Sequence, residues 1–313
     1  MANLRDDDRA QVLLVAGFVL AASFVALTLV LNSVIYTENL ATRGDDAGGE
    51  NAISYRNDVT EGLERVLESV NRNGSTKAKI HDDLSDAVVS TSRRAAQFEV
   101  LQGTSANTSL AAVTWGTRIG QNQTTGNFSN STEPSTADVA SDWTLATGVQ
   151  GTRSATIDVT DSSMLDQSGD DPLTLRVSDG SDDWTLTLYN DGTADDTWIE
   201  ITNASGSGTC SADGNPTIGL TAGTFNGTDC PALKFGEGVS APYDIEVRNG
   251  DAFQGTYSMV VRDASIDTTN YGTAPDVPFA LPAVYAATVH VEYRSASLSY
   301  ATDAEVRPGE SDD

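Results

Sequence analysis

The stretch from Ala10 to Thr37 contains no charged residue, and Val12 to Ile35 is almost wholly apolar. As a helix rising ~1.5 Å per residue, Val12 to Ile35 measures about 36 Å, enough to cross a hydrocarbon core of ~30 Å. A secretory signal has a shorter apolar core, ~7–15 residues, behind a cationic start. Here the run is longer and the residues before it read LRDDDR. The run predicts one transmembrane helix that stays with the chain, so everything after it must fold on one side of a bilayer.

That remainder is strongly acidic. The net charge is −27 over 313 residues, with more Asp than Glu and more Arg than Lys, and the carboxylates recur in almost every polar stretch. Such self-repulsion opposes a compact state at low ionic strength, but at molar salt the Debye length falls to ~3 Å and the penalty largely vanishes. The pattern fits adaptation to high salt. It excludes nucleic acid as a partner, because no basic patch is present to displace counterions from phosphates.

Three features place the bulk of the chain outside the cell. Cys210 and Cys230 are the only cysteines, and in an oxidising exterior they close a loop that contributes ~3 kcal/mol by chain entropy. A metal site would need further ligands nearby, and His81 and His290 are far away in sequence. Seven Asn-x-Ser/Thr triplets, starting at Asn73, Asn107, Asn122, Asn127, Asn130, Asn203 and Asn226, offer glycosylation sites, four of them within residues 107–132. Arg5 and Arg9 before the span, against Arg43 after it, add a slight bias for a cytoplasmic N-terminus.

Beyond the span, TRGDDAGGEN at 42–51 marks a hinge or helix break. Two helical stretches follow. Residues 52–71 carry Tyr55, Val59, Leu63, Val66, Leu67 and Val70 at three- and four-residue spacing, and residues 76–102 carry Ile80, Leu84, Val88, Ala95, Phe98 and Leu101. With NRNGST as the turn, the pair packs as an antiparallel hairpin or lies along a neighbouring domain; sustained heptads for a coiled coil are lacking. Residues 103–148 are dominated by Thr, Ser, Asn, Gln and Gly, and read either as a loose, sugar-bearing segment or as short edge strands on long loops.

From Gly151 the period changes to two. LTLRVS (173–178) and WTLTLY (184–189) flank the turn signal Asp179-Gly180, and TWIEI, YDIEV, TYSMVV and ATVHVEY continue the alternation between polar turns. Residues 291–306 are a final hairpin or one long bulged strand. The predicted fold class is α+β: an N-terminal transmembrane helix, a helical stalk or hairpin, then an antiparallel β-sandwich-like head. The expected divisions are 1–10, a leader; 11–37, the span; 38–102, the stalk; 103–148, the Ser/Thr/Asn-rich segment; 149–306, the β-rich domain; and 307–313, an acidic tail.

No nucleophile elbow, phosphate-binding loop, dinucleotide fingerprint or H-E-x-x-H occurs in the chain. His290 shares a strand face with Thr288 and Glu292 and reads as solvated, with no serine or cysteine assignable to it; His81 reads as a surface residue. The acidic runs at 166–171, 179–183 and 190–196 lack the spacing of a calcium-binding EF-hand loop and read as turns. The expectation is no enzyme, no cofactor and no metal.

Arg9-Ala10-Gln11 followed at once by the apolar run resembles the class III signal of archaeal type IV pilins and pilin-like proteins, and the string from Val15 to Gly44 is similar to haloarchaeal surface proteins with pilin-like starts. The resemblance implies that a prepilin peptidase cuts between Ala10 and Gln11. Ala10 stands where glycine is more usual, and Val15 where many bacterial pilins carry glutamate. It implies a non-enzymatic subunit of a pilus-like filament or secretion assembly, whose helices are stored in the membrane and then packed against one another or other pilin-like subunits. Two alternatives stay open: a permanently anchored single-pass surface protein that binds a partner or glycan, and an extracellular hydrolase of unfamiliar motif.

Overall fold

The structure is a computed structural model that describes residues 49–101, 103–130, 141–192, 196–272 and 277–308. The expected leader and membrane span lie outside the described residues. Among the described residues no helix is long and apolar enough to cross a membrane.

Helix α1 (Gly49–Asn73) and helix α2 (Lys77–Leu101) form the expected antiparallel hairpin. Tyr55, Val59, Leu63, Leu67 and Val70 make the buried stripe of α1, and Ile80, Leu84 and Val88 that of α2. Phe98 departs from the expectation, being 71% exposed. The stripe of α2 passes instead through Ser92, whose hydroxyl accepts from the Thr108 amide at 2.8 Å, and Glu99, which accepts from the Thr104 hydroxyl at 2.6 Å. Polar residues hold the inward positions there, so Phe98, one step off the stripe, faces water.

Fourteen strands are described: β1 (Ser105–Gln121), β2 (Trp143–Val149), β3 (Gly151–Val159), β4 (Leu173–Ser178), β5 (Asp183–Asn190), β6 (Asp196–Asn203), β7 (Gly206–Asp213), β8 (Thr217–Gly219), β9 (Thr224–Phe225), β10 (Thr228–Asp229), β11 (Tyr243–Arg248), β12 (Gly255–Arg262), β13 (Phe279–Arg294) and β14 (Ser299–Val306). They form two antiparallel sheets, an eight-stranded one ordered β10-β9-β8-β3-β12-β1-β13-β14 and a six-stranded one ordered β2-β11-β4-β5-β6-β7. Ile119, Ile157, Tyr257 and Met259 of the first share a core with Leu175, Trp184, Leu186, Ile199 and Ile245 of the second. The β4–β5 hairpin is as the alternation predicts: Leu173 opposes Leu188, Leu175 opposes Leu186 and Val177 opposes Trp184, all fully buried. Gly180 takes φ +88° in its turn, a backbone that only glycine adopts freely.

Two sequence expectations are corrected. Within residues 103–148, the reading as loose or edge does not hold for β1, a 17-residue strand inside the larger sheet between β12 and β13, whereas β2 is a short edge strand of the smaller sheet. The apolar alternation of β1 is broken because its two halves serve different cores and its register against β13 shifts twice, between Leu110 and Ala112 and between Thr114 and Trp115. Nor does the stalk of 38–102 stand apart from the head: the helical pair lies along the sheet, the second of the two expected arrangements. Val284, Val289, Val291 and Tyr293 of β13 and Val306 of β14 share a core with both helices, and Tyr55 bonds the Thr108 hydroxyl at 3.1 Å. The last stretch resolves as a hairpin, with Tyr293 opposite Tyr300.

Candidate functional site

The helical pair packs on β1, β13 and β14, and among the described residues no helix lies over the flank formed by β12, β3 and β8. On that flank the outward positions are polar. Thr156 and Asp158 alternate with Ala155, Ile157 and Val159, whose side chains enter the core between the sheets. The end of α1 forms the opposite wall through Glu68, Asn71 and Arg72, and the two walls enclose a groove of about 520 Å³.

Asn71 fixes the helix end. It is 4% exposed, its Nδ2 donates to the Val284 carbonyl at 2.8 Å and its Oδ1 accepts from the Val284 amide at 2.7 Å. The helix can therefore shift little against β13, which sets the width of the groove.

Arg118 on β1 lies at the floor. Its guanidinium sits 4.8 Å from the centre of the Phe279 ring and donates from Nη2 to the Arg72 carbonyl at 3.3 Å, while its buried Nε has no partner. Desolvation first, and the nearby Arg72 charge second, lower its pKa from the usual arginine value. No carboxylate of the described residues pairs with it, although the chain has 45 Asp and Glu against 18 Lys and Arg. By contrast Arg176, across the molecule, is clamped between Asp183 at 2.7 Å and Glu246 at 3.0 Å.

Ser154 supplies a second unusual group. Thr156 opposes Ser258 and Arg153 opposes Val260, so Ser154 is an extra residue in β3, a bulge with φ +49°. Ser154 lines the groove, while its hydroxyl is buried and has no partner among the described residues. The displaced backbone is held by Ala155, whose amide donates to the Thr221 hydroxyl at 3.1 Å and whose carbonyl accepts from Leu220 at 2.8 Å. Bulges of this kind re-aim side chains, and strain of order 1–3 kcal/mol persists only where the surroundings enforce it.

The residues singled out in the sequence fall elsewhere, Asn122 excepted. Arg9, Ala10 and Gln11 lie outside the described residues. Cys210 on β7 and Cys230 after β10 are joined as a disulfide. Asn73, Asn107, Asn122, Asn127 and Asn226 are exposed, and Asn130 and Asn203 half-exposed. Asn122 lines the groove. The acidic turn at 179–183 is occupied by its own backbone: Asp179 accepts from the amides of Asp182, Ser240 and Ser181, which lower its pKa. Among the described residues no group of three or more His, Cys, Asp or Glu could hold a metal ion.

His290 is not as isolated as its sequence neighbours imply. Register places Ser109, His290 and Asp303 side by side on β1, β13 and β14, and His290 Nδ1 lies 2.7 Å from Asp303. The row sits on the sheet face away from the helices, with the His290 side chain 40% exposed, so nothing there shields a reacting group from water.

A family model described as a family of unknown function, DUF7261, matches residues 6–163, just over half of the chain. The chain belongs to this family. The matched span of the DUF7261 protein runs from the apolar N-terminal segment through both helices to β3, and so contains Glu68, Asn71, Arg118 and Ser154 but not Thr256 or Ser258. No curated protein and no solved structure matches the chain. Arg118 and Ser154 were not foreseeable from sequence: an arginine between Thr117 and Ile119 and a serine between Arg153 and Ala155 carry no mark of the bulge or the helix end that makes a site of them.

Proposed function

We propose that this protein is a non-enzymatic, membrane-anchored surface subunit that packs through its N-terminal segment into a pilus-like filament or secretion assembly. The carrying observation is the distribution of exposed apolar side chains on the helical pair. Of the four exposed large apolar side chains described on the helical pair, Ile53 on α1 and Phe98 and Val100 on α2, at 53%, 71% and 66%, stand at the end of the hairpin where the chain arrives from the apolar run, and Val89, at 41%, lies midway along α2. Apolar surface concentrated next to such a segment fits burial against neighbouring copies or the bilayer surface. The disulfide and the outward sequon asparagines fit a head that faces the exterior, with the N-terminus cytoplasmic.

The prepilin peptidase is the processing partner, and the membrane and other pilin-like subunits are the assembly partners. The test is the N-terminal mass of the chain isolated from its native membrane, with and without Arg9→Ser. A start at Gln11 that the substitution abolishes supports assembly. A start at Met1 or Ala2 overturns it and leaves a permanent anchor that binds a partner or glycan.

A further inference from the structure

The groove beside α1 combines an unmatched cation with a wall of hydroxyls. Arg118 is 8% exposed and pairs with no carboxylate of the described residues, and Ser154, Thr156, Thr256 and Ser258 line the same space. Buried charges are normally paired, so a buried guanidinium lining a cavity with no carboxylate beside it marks the place of a missing anion. An anion on Arg118 would restore the charge-assisted bonds that a guanidinium fork makes best with a carboxylate.

The remaining wall limits what that anion is attached to. Thr156, Thr256 and Ser258 present side chains from strands whose backbones are paired on both sides, so no free strand edge offers a peptide main-chain pairing. Recognition must run through hydroxyls and carboxylates, the chemistry that suits a polyol. Asp158 already accepts from Thr217 at 2.6 Å and from Thr256 at 3.4 Å, which aims its oxygens along the sheet surface. Glu68 and Asp158 together oppose a polyanion, whereas one carboxylate set on Arg118 leaves them free to accept from ligand hydroxyls. A volume of about 520 Å³ falls within the usual range of small-molecule sites, ~300–1,000 Å³.

We infer that this groove binds a hydroxyl-rich ligand bearing a single carboxylate, the chemistry of a uronic-acid sugar, with Arg118 holding the carboxylate and Thr156, Ser258, Asp158 and Glu68 the hydroxyls. The inference stands apart from the assembly reading, since it needs neither leader cleavage nor polymerisation. Two sources could deliver such a sugar: a glycan on the chain's own Asn122, which lines the groove and starts a glycosylation triplet, or a glycan of another molecule.

The experiment titrates the full-length chain, in detergent at constant high chloride, with glucuronate, glucose and acetate, followed by saturation-transfer NMR. Glucuronate is expected to bind saturably, and glucose and acetate at least about tenfold more weakly, as when a charge-assisted bond or a set of hydroxyl contacts is lost. Arg118→Gln should weaken glucuronate by about tenfold or more, and Ser258→Ala, a smaller change on a half-buried strand position, by about threefold. If Arg118→Gln fails to fold, Ser258→Ala and Thr156→Val carry the test. The same titration with Asn122→Gln separates the sources: binding seen only after that substitution means the groove is filled by the chain's own glycan, and equal binding before and after means the sugar comes from elsewhere. Acetate or glucose binding as tightly as glucuronate would overturn the assignment, as would no glucuronate binding in either the native chain or Asn122→Gln.

Discussion

Truncating Leu67 to alanine tests whether the helical pair and the β-sandwich are one cooperative body. Leu67 is fully buried on α1, in the cluster that joins both helices to β13 and β14. Removing three carbons from such a site costs the transfer energy plus the cavity left behind, ~2–5 kcal/mol, so about 3 kcal/mol is expected. With a urea slope of ~3 kcal/mol/M for a domain of this size, the midpoint should fall by about 1 M. The assay is urea unfolding at fixed molar salt in a Trp115→Phe background, read by helical circular dichroism and by tryptophan fluorescence. Trp115 packs against the helix cluster, and its removal leaves Trp143 and Trp184 in the core between the sheets and Trp198 on β6, all on the sheets rather than the helices. Both midpoints should move together. A fall in the circular-dichroism midpoint with the fluorescence midpoint unmoved would refute the shared core and restore an independent stalk.

Reducing the Cys210–Cys230 bond, which spans a sequence separation of 20, should cost ~3 kcal/mol and lower the urea midpoint in the presence of thiol, with no change in a Cys210→Ala/Cys230→Ala chain. Asn71→Ala strips both partners from the buried Val284 peptide and should destabilise by ~2–4 kcal/mol, measured in the same way. The hydrogen bond to Asp303 raises the His290 pKa above its ordinary 6.5, with the charges of Asp303 and Glu292 adding to it. The stabilisation is therefore complete below pH 6.5 and lost as pH rises through the folded value; Asp303→Asn should move the His290 NMR titration down and flatten the pH dependence there. Lowering salt from molar to about 0.1 M lengthens the Debye length to ~10 Å and should destabilise the chain, as thermal unfolding across a salt series would show.

The parts of the fold that were legible in sequence are those with a single partner. The stripe of α1 faces one core along its whole length, and β4 and β5 present one face to one opposing sheet, so period and burial coincide. Strand β1 passes beneath the helices in its first half and against the second sheet in its latter half, with register shifts between, and no constant period survives. Phe98 misleads for a related reason: hydroxyl and carboxylate groups at Ser92 and Glu99 do the inward bonding that an apolar spacing rule assigns to large side chains. The disulfide could be foreseen because two cysteines allow one pairing. The groove could not, since Arg118 and Asn71 lie far apart in sequence and meet only when a helix end docks on the sheet.

The position of β1 also has a bearing on how the chain reaches its folded form. This strand is made early, yet its neighbours on either side, β12 and β13, come from the last quarter of the polypeptide. Until Arg262 has emerged, residues 105–121 have two unpaired edges, and until Arg294 has emerged the edge that β13 covers stays open. Pairings this distant along the chain are slow to form, and a half-made sheet with open edges is the kind of species that sticks to its neighbours. Ribosome-tethered lengths of this protein ending before residue 279 should leave β1 open to protease, with protection appearing only once β13 is complete. Maturation of the head is thereby timed by the arrival of its C-terminal hairpin.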